Sequence, residues 1–367
     1  MSVAAARLAG CLALLVATAA PAEVGIAFVG ALSGPQAWAG RDQHDGFALA
    51  LEQRNSRLGG APVAVSELDD RGEAARARAI AQRLVAEGVV IVTGLTTAES
   101  TLALQQKVRD KPVVLLSSGA GPAALAGEKC SARFFSTAPP EDAVHENAGA
   151  IAQGRRYRKV QLFAAPAQRR EIEAAFRRAY RGDIVWGSEL HEVREVRPHA
   201  VYVALGQQET IRFLKAYEDV GLFHRIPVIA AGVEPAQLQA LGPAFSGLIV
   251  SARWAAGMES ERSMQFVEAF EARYGRTPSS YAMQGYDAAL LLDAALRPSA
   301  GDLAKALSAA RVEGVAGPIR IAANGFAATD WHAWEVFNES SGAAYLAARE
   351  RTLRGYAGAQ AGRCKAR

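Results

Sequence analysis

Residues 27–60, "AFVGALSGPQAWAGRDQHDGFALALEQRNSRLGG", decide how the rest of the chain is read. An apolar run closes at Gly30, a loop carries Gly34, Pro35 and Gly40, and helix-like sequence follows. Strand, glycine loop and helix is how nucleotide-binding enzymes often begin. It is also how another kind of protein lines a cleft. The sequence beyond residue 60 has to choose between them.

That sequence keeps one beat. "PVAVSEL" (62–68) alternates like a strand, and "EAARARAIAQRLVAEG" then places Ala77, Ile80, Ala81, Leu84 and Val85 on one helical face. "VVIVTG" (89–94) is a short, fully apolar strand of the kind buried in parallel sheets. Helix 98–109, strand 112–118, helix 141–153, strand 159–164, helix 168–180 and strand 183–187 continue the alternation. Strands 200–205, 227–231 and 247–251 flank helix 208–220, and helical patterns follow at 259–274, 280–296 and 301–311. Two strand candidates, 317–322 and 332–337, end the pattern. Strands separated by helices of this length predict an α/β fold with parallel, doubly wound sheets. No flexible linker divides the two sets, so two lobes joined by a compact hinge are expected.

Composition sets the class. "MSVAAARLAGCLALLVATAAPAEVG" has an early cation (Arg7), an apolar core over 8–17 and small residues at Ala20 and Ala22, which reads as an export signal spanning 1–22. Its apolar run is too short for a spanning helix. The remaining length exceeds what one core usually serves. The 41 cations nearly balance 37 anions, and no fold-length face is uniformly basic, so a nucleic-acid partner is not expected. The basic stretch 168–182 carries Ile172, Phe176 and Tyr180 at helical spacing, which makes its arginines a solvated face. Two cysteines follow the signal, Cys130 and Cys364, and in an exported protein a pair is more readily bridged than free. Neither has a second Cys or His at zinc spacing, so no metal is expected.

Enzymatic motifs fail on inspection. Gly119, Gly121 and Ala124 fit Gly-x-Gly-x-x-Gly/Ala after a strand, but Pro122 removes an N–H where pyrophosphate would want one. No acid-terminated strand follows at the required distance, so no dinucleotide cofactor is expected. There is no phosphate loop, no nucleophile elbow, and no His-Glu-x-x-His among His191, Glu192 and His199. Asp69 and Asp70 read most simply as an N-cap for the helix that follows. The sequence is built to bind rather than to react.

The opening stretch now becomes legible. Ser33-Gly34-Pro35, Gly40, "GFALAL", Asn55 and Gly59-Gly60, followed by "DDRGEAARARAIAQRLV", resemble the N-terminus of the leucine/isoleucine/valine-binding family of solute receptors. "EARYGRTPSSYAMQGYDAALLLDAAL" (271–296) looks like that family's second signature, and "GPIRIAANG" like the approach to its last hinge strand. The resemblance implies a type I periplasmic-binding fold: two Rossmann-like lobes, 23–139 with 252–326 and 140–251 with 327–367, joined by three crossovers. It implies a periplasmic monomer that closes on a small ligand and hands it to the membrane permease of an ABC importer. A receptor of the same fold that serves a signalling partner would carry the same residues.

Family ligand positions carry over unevenly. The usual carboxylate-binding serine falls at Ala98, with Thr97 beside it and Ser100 beyond. The next loop reads Gly119, Ala120 and Gly121 where a threonine is usual. The acid that commonly anchors an α-ammonium falls at Gly232, with Glu234 two residues on. Gln207 opens the lobe-2 helix, and the aromatic positions Trp38 and Tyr281 survive. The resemblance therefore implies an amino-acid-like or aromatic carboxylate ligand. It also implies a bridge from Cys130, after the fourth strand, to Cys364 in the tail. The connection 188–199 is short for a parallel crossover, so the second lobe should be trimmed on one side.

Overall fold

The computed structural model describes residues 22–119, 121–297 and 301–366; the expected export signal lies outside them save for Ala22, as does Ala120. The first lobe is built from β1 (Val24–Gly30), α1 (Ala37–Glu52), β2 (Arg57–Leu58), β3 (Ala61–Asp69), α2 (Ala74–Ala86), β4 (Ile91–Gly94), α3 (Ala98–Val108), β5 (Val114–Ser117) and β6 (Phe134–Ser136). Its strands order as β2-β3-β1-β4-β5-β6, parallel except for the short β2. Side chains alternate across a strand, and β1 shows what this does. Ile26 and Phe28 enter one core and Ala27 and Val29 the other, so both faces of the sheet are covered.

The second lobe runs α4 (Ala143–Gly154), β7 (Lys159–Ala164), α5 (Arg169–Ala179), β8 (Asp183–Trp186), α6 (Glu192–Val196), β9 (Ala200–Ala204), α7 (Gln207–Asp219), β10 (Val228–Ala231), α8 (Pro235–Leu241) and β11 (Ile249–Ala252). Val201 and Val203 face one core while Tyr202 and Ala204 face the other. The short 188–199 connection holds only the five-residue α6, which ends at Arg197 in a left-handed conformation (φ 48°).

The chain then returns to the first lobe with α9 (Glu261–Tyr274), α10 (Ser280–Ala295) and α11 (Leu303–Ala309), whose apolar side chains join the core around Phe28. Helices α1 and α10 meet through glycines. A Cβ on Gly46 would lie 1.8 Å from the Ala282 carbonyl oxygen, and one on Gly285 would lie 2.0 Å from that of Gln43. The glycine of "GFALAL" is therefore fixed by close helix packing.

The C-terminal part differs from the sequence expectation. Residues 301–311 are not one helix: α11 stops at Ala309 and Arg311–Gly314 form β12, hairpinned with β13 (Gly317–Ile321). The expected strand 332–337 is the centre of a longer β14 (Ala327–Asn338), which pairs β13 at one end and β11 along its middle. It folds back on β15 (Ala344–Tyr356), a strand with no counterpart in the sequence reading. The second sheet thus orders β12-β13-β14-β11-β10-β9-β7-β8, with β15 on β14. The last residues do not stay with the second lobe. Ala357 joins the first-lobe core and Cys364 is bonded to Cys130. The chain passes between the two sheets over 137–142, 253–260 and 322–331, and the tail after β15 returns to the first lobe.

Asp69 and Asp70 do not cap α2, whose N-cap is Glu73 without a side-chain bond. Asp69 instead accepts from Leu32 N (3.0 Å), Ser33 N (3.2 Å) and Ser33 Oγ (2.5 Å), which shapes the Ser-Gly-Pro loop.

Candidate functional site

The strand ends of both lobes face one crevice, where open α/β sheets bind ligands. Its floor is fixed by Gln43, a fully buried side chain of α1. The Gln43 amide nitrogen donates to Gly94 O (2.5 Å) and Ser118 Oγ (2.8 Å), and its oxygen accepts from Thr96 Oγ1 (2.9 Å). One glutamine thus holds the ends of β4 and β5 at fixed spacing. Gly121 sits where a Cβ would lie 2.0 Å from Pro139 O. Its carbonyl accepts from Glu141 N at 2.8 Å, which seats the first crossing on the loop. A short 3₁₀ turn over Ala123–Ala126 follows, so this loop does not open the helix that a dinucleotide fold would need.

Between the lobes lies a central chamber of about 590 Å³. The structure brings Thr97, Ala98, Gly119, Gly121, Gly232, Glu234 and Tyr281 together on its walls. Trp38 and Gln207 line a neighbouring outer cavity of about 710 Å³ instead. The two cavities are separated where the Trp38 ring meets Tyr281 edge to face, with centroids 5.2 Å apart. Ser100 is in neither: it is buried under the first turn of α3, beside Asp70. Thr97 caps α3 by accepting Ser100 N at 3.3 Å, and Ala98, the first residue of that helix, lines the chamber.

Glu234 does not offer a free carboxylate. It accepts from Ser280 N (2.9 Å) and from Ser280 Oγ, joining the second lobe to the N-terminus of α10 in the first. Burial pushes its carboxyl above the usual carboxylate range, against the pull of those bonds. The Tyr281 phenol is pushed up to about 12, first by burial and then by Glu234, so it stays neutral.

Arg253, Gln284 and Trp331 are among the chamber residues missed in the sequence. They are 5%, 7% and 3% exposed. Among the described residues, Arg253 Nε, Gln284 Oε1 and Trp331 Nε1 have no hydrogen-bond partner. Buried polar groups are normally paired, so these two donors and one acceptor, on residues that line one chamber, are uncommitted. Arg253 Nη1 donates to Thr137 O (2.7 Å), and its Nη2 stands 3.5 Å from Asp287 Oδ2. The side chain of Glu141, on the rim, accepts from Ala123 N at 3.3 Å. Among the described residues, no cluster of His, Cys, Asp and Glu could hold a metal ion.

This geometry has counterparts. The Leu/Ile/Val-binding protein of Escherichia coli (strain K12) is 32% identical over 126 residues, 34% of this chain and 33% of that protein. The chain thus matches about a third of the length of such curated relatives. An ABC transporter substrate-binding protein from Sphaerobacter thermophilus superposes with a TM-score of 0.83 at 24% identity, covering 92% of this chain and all of that one. A solute binding protein of an ABC transporter from R. palustris, in complex with benzoate, superposes with a TM-score of 0.79 at 20% identity, covering 94% and 100%. The sequence profile of the periplasmic binding protein family matches residues 23–342. The chain therefore belongs to the periplasmic binding protein family, whose members bind solutes rather than transform them.

Proposed function

We propose that this chain captures an aromatic carboxylate in its central chamber and delivers it to the permease of an ABC importer. The observation that carries this reading is the set of unpartnered buried atoms, Arg253 Nε, Trp331 Nε1 and Gln284 Oε1, on residues that line the chamber. Two donors suit a carboxylate, and the acceptor suits a ring hydroxyl or amide. The first turns of α3 and α4 contribute Ala98 and Val144 to the same walls. Helix N-termini favour an anion. Trp254, Trp331 and Tyr281 supply ring surface for stacking.

An α-amino acid fits less well. Positions 98, 121 and 232 carry no polar side chain, and the carboxylate of Glu234 is already engaged by Ser280. Each missing charge-assisted bond should weaken binding by about 1.5–3 kcal/mol. The similarity to a benzoate complex supports the same choice, at the level of fold.

In this reading the chain is exported through a signal at 1–22, works as a periplasmic monomer and closes like a hinge. The dividing points fall within 137–142, 253–260 and 322–331. Calorimetry of the mature chain with benzoate, 4-hydroxybenzoate and leucine tests it. Tight binding of an aromatic acid with weak or absent leucine binding is expected; submicromolar leucine affinity overturns it.

A further inference from the structure

A third cavity, about 480 Å³, adjoins the central chamber on its hinge side. Leu238, Leu346, Pro243 and Pro278 form much of its lining. Trp254 and Val233 line both spaces and act as the wall between them. The wall is fixed, because the Trp254 indole N–H donates to Ser263 Oγ at 2.9 Å and the ring is 3% exposed.

Two features say what this side chamber takes. Its charge is one-sided: Glu234 and Glu339 line it, and no lysine or arginine does. A carboxylate entering it would meet two acids and no cation, whereas an uncharged ring would only replace water against apolar walls. The polar group on its first-lobe wall is also occupied, since Thr277 Oγ1 donates to Glu271 Oε1 at 2.7 Å.

Its walls, moreover, come from both lobes. Thr277 and Pro278 belong to the α9–α10 loop of the first lobe, Pro235 and Leu238 to α8 of the second, and residues 342–346 to the β14–β15 turn and the start of β15. Opening the lobes would take these walls apart. A molecule that fills the chamber therefore binds the closed arrangement better than the open one. Any such ligand must tighten whatever else binds the closed form, and by the same factor in reverse.

We propose that the side chamber is a second ligand site, taking a small uncharged aromatic molecule, and that its occupation is coupled through lobe closure to ligand binding in the cleft. The side chamber shares Val233, Glu234 and Trp254 with the central chamber but is not lined by Arg253, Gln284 or Trp331, so it does not depend on which acid the cleft prefers. The two ligands are complementary rather than competing.

Indole is the probe, titrated by calorimetry into the full mature chain with and without saturating 4-hydroxybenzoate. One equivalent of indole should bind, more tightly when the acid is present, and indole should in turn raise the affinity for the acid about fivefold. Ala344→Phe and Ala256→Leu, which fill the side chamber from two different elements, should each abolish indole binding. Both should still bind the acid without indole, and in neither should indole raise the acid's affinity. If one variant fails to fold, the other carries the test. Displacement of indole by the acid overturns the proposal, as does undiminished indole binding in a folded variant, or no indole binding at all. If the acid does not bind but indole binds and is lost in Ala344→Phe, the side chamber stands and the reading of the cleft falls.

Discussion

The guanidinium of Arg253 lies 3.5 Å from the carboxylate of Asp287, and both side chains are buried. The pair sits where the three crossings meet. Arg253 belongs to the second crossing, donates to Thr137 O of the first (2.7 Å), and its carbonyl oxygen faces His332 Nδ1, just past the third, at 3.3 Å. Asp287 belongs to α10 and accepts Val315 N at 2.9 Å. A group that touches the ligand chamber is thereby tied to every strand of the hinge.

Replacing Arg253 should have two separable effects. Arg253→Met removes the donor set for a carboxylate and should weaken 4-hydroxybenzoate binding by at least tenfold, since a charge-assisted bond contributes about 1.5–3 kcal/mol. It also strands Asp287, which should lower stability by about 3–5 kcal/mol. Adding Asp287→Leu should restore much of the stability and none of the affinity. Chemical denaturation and calorimetry on the same two proteins distinguish these effects.

The pair also makes stability depend on pH. Burial, only partly offset by Arg253, pushes the Asp287 carboxyl up to about 6 from 3.8. The folded chain then holds this proton more tightly than the unfolded chain. The group's contribution is fully present below pH 3.8 and is lost as pH rises through about 6. Between pH 5 and pH 7 this contribution should fall by about 1 kcal/mol. Asp287→Asn should lack that slope, so its stability relative to wild type should rise over the same interval. Urea unfolding at both pH values checks the sign.

The interlobe contact of Glu234 with Ser280 should govern closure. Glu234→Ala removes the acceptor for Ser280 N and Oγ, and with it the bridge from α8 to α10. If the closed form becomes less populated, the apparent affinity falls in proportion, by about tenfold for a loss near 1.4 kcal/mol. X-ray scattering should show a larger radius of gyration for the ligand-free variant. An unchanged radius together with unchanged affinity would argue that other contacts hold the lobes.

These effects divide sharply by how well the sequence disclosed them. The alternation of strands and helices was visible because buried parallel strands such as β4 and β5 are uniformly apolar and their helices are amphipathic. Gly119, Gly121 and Gly232 were named instead through the resemblance to the leucine/isoleucine/valine-binding family, and they lie in strand-end loops that line the chamber. Strand β15 was not visible, because "AYLAARERTLRGY" lies mostly exposed and its arginines face solvent. Arg253, Gln284 and Trp331 were missed because each looks ordinary in its own segment. Only the meeting of 253, α10 and β14 leaves their polar atoms unpartnered together. Trp38 was expected at the ligand and stands one cavity away, held by Tyr281.

That displacement sets an order for two aromatic substitutions. Tyr281 lines the central chamber and Trp38 reaches it only through the Tyr281 ring. Trp38→Ala should therefore cost about 0.5–1.5 kcal/mol of affinity, the value of an edge-to-face pair. Tyr281→Ala should cost more, since it removes both the pair and the stacking surface. Calorimetric titration of the two variants with 4-hydroxybenzoate decides the order.

The tail should be stabilising and functionally silent. Cys130 and Cys364 are joined across a sequence separation of 234, with Cα atoms 5.6 Å apart. Asn324 reinforces the anchor by donating to Ala126 O (2.9 Å) and Ala357 O (2.8 Å), which ties the Cys130 loop, the third crossing and the tail together. In the chain-entropy account a bridge closing so long a loop contributes at most about 5 kcal/mol. Because neither Cys130 nor Cys364 lines the chamber, the double variant Cys130→Ser/Cys364→Ser should melt at a lower temperature yet bind 4-hydroxybenzoate with wild-type affinity. Freed from its anchor, "GRCKAR" becomes an accessible terminus, so limited trypsin digestion should trim the variant and spare the wild type until it is reduced. A variant trimmed no faster than the unreduced wild type would mean that the backbone contacts of Ala357, not the bridge, hold the tail.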